Sequence, residues 1–183
     1  GGEVSVTSYA IVGRMLMFAM FPVLGLTQGF LPIAGFNYGA QNYTRVRETI
    51  NIAIKYAMIM ATFVFILLML FPEAITRMFT SDMEIISKTP SDMRWVFAAT
   101  PIIAIQLIGA AYFQAIGKAT PALILTLLRQ GLFFIPLILI LPKFYGEFGV
   151  WVSFPISDVL STIVTAYFLN REVKLNLIAK EVA

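Results

Sequence analysis

From Met15 to Thr44 the chain runs for thirty residues without one charged side chain, and four further apolar stretches follow it, separated by short polar intervals. A bilayer core of about 30 Å is crossed by about 20 apolar residues in helical form. Only segments that satisfy their backbone groups internally tolerate that medium. The pattern predicts an all-α polytopic membrane bundle with five spans, at about 14–36, 52–71, 95–116, 121–141 and 150–169, in one transmembrane domain over 1–183. The connections at 117–120 and 142–148 are short, which makes the last three spans antiparallel neighbours.

The interval 73–92 is more polar. Its apolar positions Ile75, Met78, Phe79, Met83 and Ile86 recur at near-helical spacing, so it reads as an amphipathic helix on the membrane surface or as a plain solvated connector. Pro22, Pro101, Pro136 and Pro155 fall inside spans, where each removes a backbone bond and crowds the preceding turn, so kinks are expected in four of the five helices. Gly25 and Gly29, four apart, offer a stripe for close helix packing.

Composition narrows the chemistry. The chain is 59% hydrophobic and 13% charged, with sixteen Phe, which leaves too little polar surface for an ordinary soluble domain. It has no Cys and no His, so thiol nucleophiles, disulfides, imidazole bases and the commonest transition-metal ligands are excluded. No phosphate-cradling loop and no nucleophile beside a base can be found, and neither enzyme activity nor a cofactor is expected. The formal charge is +3, but the basic residues stand singly at the ends of apolar runs rather than on one face. They fit snorkelling and membrane topology, not a nucleic-acid surface. If Gly1 starts outside, seven basic residues (Arg45, Arg47, Lys55, Lys118, Arg171, Lys174, Lys180) fall inside and five (Arg14, Arg77, Lys88, Arg94, Lys143) outside. With no initiating Met and no signal pattern at Gly1, the sequence reads as a piece of a longer chain.

Two ionisable residues lie deep in spans, Arg129 in the fourth and Asp158 in the fifth. Charge in lipid is expensive and is retained for a reason. Arg129 stands about eight residues in from Pro121 and Asp158 about eleven from Leu169, so at about 1.5 Å per residue their depths differ by less than one helical turn. The two therefore form a candidate pair. One reading makes Asp158 a protonatable or cation-coupled carboxylate tuned by Arg129. The other makes the pair an internal tie that sets the register of the last two helices, since a guanidinium competes with a proton for the carboxylate. Asp158, Thr162 and Thr165 share a helix face, as do Thr126, Arg129 and Phe133. Gln28 continues the face of Met17, Phe21 and Leu24, and Gln106 shares a face with Phe113 and Gln114. These amide, Met and aromatic positions, with Phe133, are candidates for a cavity that holds apolar or cationic molecules. Interhelical hydrogen bonding by the amides is the alternative.

The end of the first span reads Pro22-Val-Leu-Gly25-Leu-Thr-Gln28-Gly29-Phe-Leu-Pro32-Ile-Ala-Gly35-Phe-Asn37-Tyr38-Gly39-Ala40-Gln-Asn42, followed by Arg45-Val-Arg47. This resembles the multidrug and toxic compound extrusion (MATE) family, and its run from Gly35 through Asn37, Gly39 and Ala40 to Arg45 carries most of the likeness. Phe113-Gln114-Ala-Ile-Gly117-Lys118-Ala, Leu128-Arg129-Gln130-Gly131, Gly149-Val-Trp151 and Pro155-Ile-Ser-Asp158 look like its bacterial MepA-type branch. The resemblance implies twelve helices in two six-helix lobes of a cell-membrane protein, with a substrate cavity between the lobes. It also implies export of amphipathic or cationic organic molecules driven by inward sodium or proton movement. On that plan the five spans correspond to helices eight to twelve, with the N-terminal lobe and helix seven missing. A flippase for lipid-linked precursors and a non-transporting membrane assembly subunit are the other readings.

Overall fold

The computed structural model describes residues 2–182. The first uncharged run and the residues before it form one 38-residue helix, α1 (Gly2–Gly39), which continues through Pro22 and Pro32. It turns at 40–42, where Gln41 takes φ 59, into α2 (Tyr43–Leu70). Asn42 caps α2 by accepting a hydrogen bond from the Arg45 backbone N–H at 3.3 Å, which relieves one of the unpaired donors of the first turn.

Most of the interval 73–92 is helical, and its main helix has one buried and one exposed face. It forms the short α3 (Pro72–Arg77) and then α4 (Met83–Val96), whose Ile85, Ile86, Met93 and Val96 are buried. The spacing noted in the sequence mixes two elements: Ile86 is buried, while Met78 and Met83 are exposed. Helix α4 meets α5 (Thr100–Ala115) at an angle of 48°, across residues 97–99. Pro101 sits in the first turn of α5, where its missing N–H costs nothing, so the break falls before it rather than at it.

The fourth span comprises α6 (Ala119–Leu127), a π-helical segment Leu128–Phe133, and α7 (Phe134–Tyr145). Pro136 stands in the first turn of α7, just past the widened segment, which is one way a helix absorbs a missing donor. Helix α8 (Glu147–Glu172) continues through Pro155 and passes into a second π segment, Val173–Ile178, and α9 (Ala179–Val182). Of the four prolines expected to kink helices, Pro22 and Pro155 lie within helices that continue past them. Gly117 and Gly146, at φ 76 and 59, make the tight turns before α6 and before α8.

Four of these helical runs are long and apolar enough to cross a bilayer, and the bent pair α4–α5 is so only when the two are taken together, as a broken span or a re-entrant loop. Helix α5 is the hub, touching α1, α2, α6 and α8. Its small residues permit this: a Cβ at Gly109 would run into Thr165 of α8. Gly35 of α1 lies as tightly on α5, with a Cβ there 3.0 Å from the Ala115 carbonyl, and Gly149 of α8 fits against the Leu141 backbone. Among the described residues nothing lies within 4 Å of a Cβ at Gly25 or Gly29.

Candidate functional site

Helix α8 turns Ser153, Ser157, Ser161, Asp158, Thr162 and Thr165 inward, and all six are buried. A polar face can be buried in lipid-embedded protein only if its hydrogen bonds are made locally or across helices. Ser153 and Ser161 donate back along their own helix, to the Gly149 and Ser157 carbonyls, both at 2.7 Å. Ser157 reaches out instead, donating to the Arg129 carbonyl at 2.6 Å. That carbonyl lies in the π segment, whose looser ladder accommodates an outside donor.

Arg129 answers from the same turn. Its Nε donates to Asp158 Oδ1 at 2.6 Å, with side-chain exposures of 14% and 5%. One residue of the fourth span is thus held twice by adjacent residues of the fifth, through its carbonyl and its guanidinium. The pair forms part of the wall of a cleft of about 270 Å³, otherwise lined by Leu16 of α1, Gln130, Phe134, Phe154 and Ser157. Phe134 and Phe154 pack with ring centroids 4.6 Å apart. The result is an apolar recess with a charge pair on one side.

The other sequence candidates do not gather there. Gln28 is exposed on the same face of α1 as Met17, Phe21 and Leu24. Gln106 is 3% exposed and donates to the Leu125 carbonyl at 2.9 Å, tying α5 to α6. Phe113 is buried in the core, Phe133 packs against that core half-buried, and Gln114 is exposed at the end of α5. The run from Gly35 to Arg45 builds a turn. Asn37 donates to the Ile33 carbonyl at 2.8 Å, Gly39 ends α1, Ala40 opens the turn, and Arg45 pairs with Glu48 at 3.7 Å on the surface.

Several polar contacts escaped the sequence reading, most of them because their partners lie far apart in the chain. Lys118 Nζ bonds both carboxylate oxygens of the buried Glu172, at 2.7 and 2.8 Å, and Asn176 donates to Glu172 Oε2 at 2.7 Å. Lys180 lies over the rings of Tyr38 and Tyr43, at 5.8 and 5.5 Å, at the same end of the bundle. At the opposite end Lys88 bonds Glu147 and Ser5, at 2.6 and 2.7 Å, and Ser8 donates to Asp92 at 2.8 Å. Only the stranding of Glu172 and Asp92 beside apolar runs could have hinted at them.

The model of the family described as MatE matches residues 2–140. The chain belongs to the MatE family. Consistent with its apolar helices, this MatE chain is an integral membrane protein. It is 22% identical over 168 residues to the multidrug export protein MepA of Staphylococcus haemolyticus (strain JCSC1435), covering 92% of this chain and 37% of that one. MepA of Staphylococcus aureus (strain N315) is 25% identical over 172 residues, with 92% and 38% covered. Among solved structures, the MATE multidrug transporter DinF-BH, in complex with a dye, superposes with a TM-score of 0.84 at 46% identity, covering 94% of this chain and 39% of that one. An outward-facing MATE transporter of the MOP superfamily gives 0.89 at 24% identity, covering 100% and 41%, a likeness of fold. The chain thus spans roughly two fifths of the length of the relatives it matches.

Proposed function

We propose that this chain supplies five helices of one lobe of an antiporter that exports amphipathic or cationic organic molecules across the cell membrane, driven by inward sodium or proton movement. The observation that carries the reading is the Arg129–Asp158 pair on the wall of an apolar cleft within the spans. Relatives support it: MepA proteins are multidrug export proteins, and the DinF-BH transporter was solved with a dye bound. On this reading an N-terminal lobe faces the exposed Met17, Phe21, Leu24 and Gln28 stripe of α1 and completes the substrate cavity.

The energetics are those of linkage. Ion and drug favour different arrangements of the bundle, so inward flow of one drives the other outward. A buried ion pair with a single charge-assisted bond suits such a switch, because a cation or proton competing for Asp158 releases Arg129 and with it the fourth span. The test is dye accumulation in cells expressing the full-length protein. Accumulation of an ethidium-like dye is expected to fall, and to recover when the ion gradient is collapsed. Unchanged accumulation with correctly inserted protein refutes the proposal. Asp158→Asn is expected to weaken transport per folded molecule more than it lowers the amount of folded protein. The reverse outcome leaves the pair a structural tie.

A further inference from the structure

Arg77, in the last turn of α3, and Arg94, in the last turn of α4, line one cleft of about 430 Å³ together with Leu70, Phe71 and Glu73. Among the described residues neither arginine has a carboxylate within ion-pair distance, and Glu73 is the single acid of the cleft, so its net charge is +1. The depth of this cleft in the membrane is marked by aromatic side chains. Trp95, next to Arg94, stacks edge-on against Phe148 at 5.1 Å, and Phe144 and Tyr145 are exposed nearby in sequence. Such rings collect at the level of lipid headgroups.

On the other side of the six-residue α3 runs an apolar groove of about 500 Å³. Met15 and Phe18 of α1, Val64 and Leu67 of α2, and Met78 and Phe79 line it, and it contains no charged side chain. Leu67 and Leu70 are one turn apart on α2, so the groove and the cleft meet at the end of that helix. Both helices flanking the groove are long and apolar enough to cross a bilayer, which suits it to an acyl chain.

The geometry points to a binding site for an anionic glycerophospholipid, with its phosphate between Arg77 and Arg94 and one acyl chain in the groove between α1 and α2. Two guanidinium groups without counter-ions complement a phosphate. Glu73 beside them accepts hydrogen bonds from headgroup hydroxyls and disfavours a doubly charged free anion. An inorganic phosphate would leave the groove empty, and a zwitterionic lipid would bring a cation to a site that is already positive. Phosphatidylglycerol combines one phosphate, hydroxyls and acyl chains, and is the probe of choice.

The experiment is native mass spectrometry of the purified full-length protein released from micelles with equal phosphatidylglycerol and phosphatidylcholine. The protein is expected to retain phosphatidylglycerol preferentially. Arg77→Gln with Arg94→Gln should reduce that preference about thirtyfold, from the attraction of about 1 kcal/mol that each basic residue exerts on anionic lipid. Arg77→Lys with Arg94→Lys, which keeps the charge, should preserve most of it and serves as the folded control. Leu67→Trp, which fills the groove, should lower retention of both lipids and leave the headgroup preference intact. Undiminished preference in the glutamine variant overturns the proposal, as does loss of preference in the lysine variant. Displacement of lipid by inorganic phosphate with no effect of Leu67→Trp reduces the site to an anion cleft and also overturns it. So does a protein partner or second copy cross-linked in the groove in place of lipid.

Discussion

Severing the Arg129–Asp158 pair tests whether the fourth span is held by charge. With side-chain exposures of 14% and 5%, deleting either partner strands the other in a nearly sealed place. In a soluble interior that costs about 3–5 kcal/mol. Two features lower the figure here. The pair borders a cleft, so the stranded group regains some solvation, and a chain unfolded within the membrane retains polar contacts of its own. Asp158→Ala and Arg129→Ala are each expected to destabilise by about 2 kcal/mol, and the double variant by about the same, because removing the second charge ends the penalty of the first. The coupling energy is then about 2 kcal/mol. Unfolding of the purified protein in detergent, followed for the parent and the three variants, measures it. Additive losses, with a coupling below about 0.5 kcal/mol, refute the reasoning.

Gly109→Val should abolish folded protein in detergent extracts, since its side chain meets Thr165 where α5 and α8 touch, whereas Gly25→Ala, with open space around it, should shift stability by less than about 0.5 kcal/mol. In the motif turn, thermal unfolding should fall by about 1 kcal/mol for the cap variant Asn42→Ala and hardly at all for Arg45→Ala, whose ion pair is 3.7 Å long with side chains 69% and 55% exposed. Lys118→Met leaves Glu172 with Asn176 alone, and hydrogen exchange should quicken selectively in residues 173–182; exchange spread evenly over the protein would contradict that local tie.

The long elements were legible because lipid imposes one rule on every residue of a span. The uncharged run of α1 and the matching depths of Arg129 and Asp158 follow from counting, and counting is enough where helices are straight and neighbours antiparallel. The same counting left the interval 73–92 open between a helix and a connector. A helix that enters a bundle buries Ile85, Met93 and the paired Asp92 on one face and keeps charges on the other, so its mean polarity resembles that of a surface connector. Glycine spacing is likewise an incomplete guide. Gly25 and Gly29 have the repeat of a packing stripe but meet no neighbour among the described residues, while Gly109, with no glycine four residues away, leaves no room for a Cβ beside Thr165 of α8. Spacing shows which residues share a face. It does not show which face meets a neighbour.

The fourth span lies along α8 and α5 but buries few of its side chains fully. Among the described residues α7 buries none and α6 buries Leu125 alone. In lipid, apolar surface gives a helix no preference between protein and bilayer, so packing and hydrogen bonds must supply it. The fourth span is accordingly tied by Gln106 to the Leu125 carbonyl, by Ser157 to the Arg129 carbonyl, and by Arg129 to Asp158, the last two within one π segment. Bonds of this kind are directional and few, so they can be exchanged as a set, whereas the Ala and Gly contacts of α5 are spread along its length and cannot. The fourth span thus combines close packing along α8 and α5 with three directional side-chain ties.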